Sequence, residues 1–89
     1  PTRNEMFAVV REMQGGSRMT ALCEDGRTRM IRIGGKFKRR MWVRVNDLIL
    51  IKPWPIQENE KADLVHRYLP AERNWIVNRN ILPEELKIW

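Results

Sequence analysis

The stretch RMTALCEDGRTRMIRI, residues 18–33, does most to limit what this chain can fold into. In its first half Met19, Ala21 and Cys23 fall on one face, and Arg18, Thr20, Leu22 and Glu24 on the other. That is the period of two expected of a half-buried strand. Asp25-Gly26 then reads as a two-residue turn, because both central positions of a type I′ turn need positive φ. RTRMIRI (27–33) resumes an extended pattern. Upstream, the β-branched and aromatic run MFAVVREM is broken by QGGS (14–17), a hairpin-loop signal. Three strands joined by short turns make an antiparallel meander.

After Gly34-Gly35 the chain reads as irregular or briefly helical through KFKRRMW, and WVRVNDLILIKP then reads as extended. Asp47 is expected at its turn, with LILIK (48–52) a fourth strand buried on both faces. Pro53 and Pro55 end it, since neither can donate to a sheet ladder. QENEK (57–61) is a polar turn, and ADLVHRYL (62–69) a candidate fifth strand whose spacing also permits a helix. From Pro70 the pattern is helical, with Pro at the first position, and PEELKIW (83–89) suggests a second short helical segment. The fold class expected is all-β. It is a five-stranded, OB-fold-like closed barrel over residues 1–69, with a short helical extension over 70–89 packed on or near it. An SH3-like barrel has a similar strand count.

Charge is distributed unevenly. Residues 1–52 carry 12 basic and 5 acidic side chains, whereas residues 53–89 carry 5 and 6. Between Arg27 and Arg44 lie Arg27, Arg29, Arg32, Lys36, Lys38, Arg39, Arg40 and Arg44, with no acidic residue among them. Cations this dense repel one another unless solvent or a polyanion screens them, and nucleic acid gains from each phosphate neutralised. Phe37 and Trp42 interleave with them. Either ring could stack on a base or pack inward, and for Trp42 the inward role beside Val43 is favoured. The competing reading is a solvated loop.

Other chemistries find little support in the composition. Cys23 is the one cysteine, so neither an intramolecular disulfide nor a thiolate zinc site can be built. It reads as a small buried residue in a reducing, cytoplasmic setting. The glycine pairs 15–16 and 34–35 lack the spacing and the hydroxyl of a phosphate-binding nucleotidase loop. His66 is the only histidine, and Glu84-Glu85 point in different directions on a helix, so no catalytic or metal constellation is seen. No cofactor is expected, and no apolar run is long enough to span a bilayer. Trp54 and Trp75 are expected to pack the helix onto the barrel.

Several segments resemble the translation initiation factor 1A family, the archaeal and eukaryotic counterpart of bacterial initiation factor 1. MFAVVREMQGGSRMTALCEDG is similar to its opening strands, and GGKFKRRMWV to its Gly-Lys-x-basic-basic-x-Trp segment. VNDLILIKPW is similar to its fourth strand, and EKADLVHRYLPAE to its fifth strand and the start of the helix. The likeness covers roughly residues 5–82. It implies an OB barrel that binds ribosomal RNA of the small subunit at the decoding (A) site, occupies that site, and supports initiator tRNA and mRNA recruitment with other initiation factors. It implies RNA-facing positions at Gln14, Gly15, Gly16, Ser17 and Arg18, and at Lys36, Phe37, Lys38, Arg39, Arg40 and Trp42. The charge reading adds Arg32, Arg44, Lys61, His66 and Arg67. The long basic and acidic tails of eukaryotic members are not in this sequence, which points to the archaeal form. The acidic motif through which those members contact initiation factor 5B is also missing, and Ile88 and Trp89 are the place to look for protein docking. A monomer is expected, without membrane association. A general single-stranded RNA binder of the cold-shock type is the alternative, but it calls for exposed aromatics on strands 2 and 3, which have none.

Overall fold

The alternating runs become five strands in the computed structural model, which describes residues 4–15, 17–34 and 43–89. The strands are β1 (Met6–Met13), β2 (Arg18–Cys23), β3 (Thr28–Arg32), β4 (Leu48–Pro53) and β5 (Lys61–Arg67). They close in the order β1-β2-β3-β5-β4, with β4 returning to β1. Only β3 and β5 pair in parallel, and the other seams are antiparallel. This is the five-stranded barrel of the OB class, and closure leaves no long unpaired edge. The expectations for Gly16, Lys36, Phe37, Lys38, Arg39, Arg40 and Trp42 concern positions outside the described residues.

Two apolar clusters explain the two kinds of strand pattern. The barrel interior is filled by inward side chains of every strand, including Val10, Met19, Ile31, Ile49, Ile51 and Leu64, with Val43 packed at its margin. A second cluster joins Phe7 and Val9 of β1 and Leu48 and Leu50 of β4 to Ile76, Leu82 and Leu86. The outer faces of β1 and β4 are therefore covered by the C-terminal segment. That is why FAVV and LILI read as unbroken apolar runs while β2 and β3 alternate. Helix α1 (Pro70–Asn78) starts with Pro at its first turn, where a missing N–H costs nothing. Glu72 Oε1 accepts the Leu69 N–H at 2.9 Å and satisfies a donor at the helix start. A 3₁₀ turn, Glu84–Leu86, brings Leu86 inward.

Two expectations need correction. Of the Asp25-Gly26 pair only Gly26 takes positive φ, at 85°. Its N–H donates to the Cys23 carbonyl at 2.9 Å, and the Cys23 N–H donates to the Arg27 carbonyl at 2.8 Å. The turn is thus a three-residue loop with glycine in the left-handed position, and the two-residue type I′ form is not used. The tryptophans expected to fasten the helix do not do so. Trp54 lies against Arg32, Lys61 and Asp63, and Trp75 is 56% exposed under the Arg79 guanidinium. Aliphatic side chains fasten the helix instead, because they fit between strands without a polar atom to satisfy. Cys23 is buried, as expected. Burial pushes its thiol pKa up, away from reactivity, despite the opposing influence of Arg29.

Candidate nucleic-acid interface

Strand direction gathers the basic segments at one end of the barrel. β1 ends there and β2 begins, so the first hairpin loop sits at that rim, its base closed by Gln14 N–H to Arg18 carbonyl at 3.0 Å. β3 also ends there. The Ile33 N–H donates to the Ser17 carbonyl at 2.8 Å, which ties the start of the 34–43 connection to the hairpin loop. The connection returns to the same rim, because Val10 and Asn46–Asp47 exchange backbone hydrogen bonds of 3.0 and 2.8 Å. Gly34, the described start of the most basic segment, therefore lies beside the hairpin loop, and Asn46–Asp47, shortly past its end, lie on β1. Gly15, at φ 78°, takes a backbone conformation that L side chains rarely adopt.

The described cations of this region differ in availability. Arg18 and Arg44 are exposed and enter none of the ion pairs among the described residues. Asp47 organises the rim: its Oδ2 accepts the Arg44 backbone N–H at 2.8 Å and the Arg67 Nε–H at 3.0 Å. Arg67 is thereby a partly buried structural cation. His66 lies edge-on to Tyr68 at 4.7 Å, its Nε2 3.8 Å from Glu72. Lys61 holds its ammonium 5.4 Å from the Trp54 ring centre.

The one-signed look of the Arg27–Arg44 stretch is partly undone by folding. Asp25 takes Arg29 in a two-pronged pair at 2.9 and 2.8 Å and lies 3.7 Å from Arg27. Asp63 takes Arg32 through bonds of 3.0 and 3.3 Å. Arg29 is only 3% exposed, with its Nε bound to the Glu58 carbonyl at 2.6 Å, so it is structural and not a phosphate ligand. The Arg32–Asp63 pair is well exposed. Such exposed pairs contribute little to stability.

One residue of this surface was missed by the sequence reading. Trp54, delivered by the β4–β5 loop, donates its indole N–H to Asp63 Oδ1 at 2.9 Å and stands beside Arg32 on the sheet. Its backbone N–H donates to the Lys61 carbonyl at 3.0 Å, one step beyond the Pro53–Ala62 pair, so Trp54 still belongs to the β4–β5 seam.

A family model described as Translation initiation factor 1A / IF-1 matches residues 1–88. The chain belongs to this family. Curated proteins named translation initiation factor 1A agree with that. The one from Thermoplasma acidophilum is 44% identical over 87 residues, covering 98% of this chain and 72% of its own length. The Pyrococcus abyssi protein is 39% identical over 85 residues, covering 96% and 75% respectively. That of Methanothermobacter thermautotrophicus is 43% identical over 82 residues, covering 92% and 83%. These relatives are archaeal. As a member of the initiation factor 1A family, the chain has a role in translation initiation and is not an enzyme. None of the helices among the described residues is long and apolar enough to cross a membrane.

Proposed function

We propose that this initiation factor binds ribosomal RNA of the small subunit at the decoding site. It occupies the aminoacyl-tRNA position while initiator tRNA and mRNA are recruited, acting in the cytoplasm as a monomer and without a cofactor. Residues 1–69 form the RNA-binding domain, and residues 70–89 form an extension that covers the opposite sheet face. The observation that carries this reading is the Ser17–Ile33 backbone bond, which sets the first hairpin loop beside the entry to KFKRRMW. In this reading Gln14–Arg18 and Lys36–Arg40 meet phosphates together, and Arg44 extends the contact. The outer faces of β2 and β3 carry no aromatic side chain of their own, which favours backbone and shape recognition over general single-strand binding.

The test is binding to isolated small subunits across a salt series. Changing Lys38, Arg39 and Arg40 together to Ala should weaken binding. It should also flatten the slope of log affinity against log salt by roughly 0.7–0.9 per lost phosphate contact. An unchanged slope would show that these side chains meet no phosphates.

A further inference from the structure

The β2–β3–β5 face carries a feature that phosphate contacts do not use. Cross-strand pairing sets Arg18, Arg32, Asp63 and Lys52 in one row over four strands. The single acid in that row is already engaged by the Arg32 guanidinium and the Trp54 indole. Trp54 is held from three directions. Its backbone N–H bonds the Lys61 carbonyl at 3.0 Å, its indole N–H is fixed on Asp63, and Arg32 lies 5.3 Å from its ring centre. Beside it opens a cleft of about 400 Å³, lined by Arg32, Trp54, Pro55, Ile56 and Asp63. Ile56 is 79% exposed at the edge of this cleft.

We infer that this cleft takes one unstacked nucleobase of the bound RNA, stacked against Trp54 and Arg32 with Ile56 at its edge. An oriented indole and a guanidinium plane are the two surfaces on which splayed bases stack. The flanking cations favour this occupant over an apolar peptide. Arg18 and Lys52 stand at either end of the row, placed to meet the phosphates on both sides of the base. Asp63 serves as a positioning residue, accepting hydrogen bonds from both the indole and the guanidinium. The inference rests on the RNA-binding reading above and adds a base contact to its phosphate contacts.

Two measurements test it together. The first follows the Trp54 indole resonance, assigned by its loss in Trp54→Phe, during titration with hexaadenylate RNA and with an abasic hexamer of the same charge. The hexaadenylate should shift the resonance and the abasic chain should not; equal shifts from both would overturn the inference. The second compares small-subunit affinity of the wild type, Trp54→Phe and Trp54→Leu. Leu keeps apolar bulk but no stacking face, so its affinity should fall about 10-fold, while Phe should stay within about 3-fold. Unchanged affinity of Trp54→Leu, with the wild type still protecting the decoding site, would overturn this inference alone. A wild type that leaves that site unprotected would overturn the parent reading instead. Lost subunit affinity without any response of the indole to hexaadenylate would assign the cleft to a protein contact and overturn the base site.

Discussion

Leu86→Ala is expected to destabilise the protein by about 2–4 kcal/mol, read from urea or thermal unfolding. Leu86 is fully buried, and it comes from a short 3₁₀ turn far along the chain from the strands it covers. It packs in one cluster with Phe7, Val9, Leu48 and Leu50, so truncation opens a cavity against β1 and β4. In a domain of this size the loss should lower Tm by roughly 10 °C or more. Leu86→Met, which keeps the volume, should cost less than about 1.5 kcal/mol. A loss below 1 kcal/mol for the alanine variant would mean that the C-terminal segment contributes little to the barrel. Small-subunit binding by the folded fraction should be little changed, because the affected face is not the basic rim.

Asp25→Ala has the next largest expected cost, about 2–3 kcal/mol, because it leaves the buried Arg29 guanidinium without its carboxylate. The partners that remain, the Glu58 carbonyl on Nε and the Met6 sulfur on one terminal nitrogen, are uncharged. Adding Arg29→Met to Asp25→Ala should recover much of the loss, since removing both charges abolishes the unpaired cation. The same pair gives a pH dependence. The Arg29 hydrogen bonds hold the Asp25 carboxyl below the usual carboxylate range, against a smaller opposing effect of burial. A carboxylate whose pKa is lower in the folded state contributes stability above its unfolded pKa and loses it as pH falls through the folded value. Stability should therefore decline on acidification below about pH 4, and less steeply in Asp25→Ala. Parallel acid profiles for the two proteins would remove Asp25 from this role.

Much of this architecture was legible in the residues because period and turn chemistry act locally. Alternation at 18–23, the apolar run at 48–51, the proline stop at 53–55 and Pro70 at the helix start all appear in the structure as read. The fifth strand, which spacing alone left open to a helix, is a strand because Ala62 and Leu64 point into the barrel and its backbone closes the seams with β3 and β4. Long-range pairing was not legible. Asp63 looks unrelated to the cationic stretch along the chain, yet strand register sets it on Arg32, whereas Asp25 reaches Arg29 locally across the turn. Those pairs decide which cations remain available. Trp54 was misplaced for the same reason. Apolar character suggested packing under the helix, whereas the bond from its indole to Asp63 depends on two strands meeting. The turn at Asp25-Gly26 shows a finer limit, since the dipeptide suits two loop lengths and the Cys23–Arg27 backbone bond selects the longer.

If the basic rim of this barrel occupies the decoding site, as proposed, chemical footprinting of isolated small subunits should show it. With saturating protein, rRNA nucleotides of the decoding site should be protected, and protection should fade with rising salt and with the Lys38, Arg39 and Arg40 triple substitution. Saturable binding that leaves the decoding-site nucleotides as reactive as in the free subunit would place the protein elsewhere on the subunit.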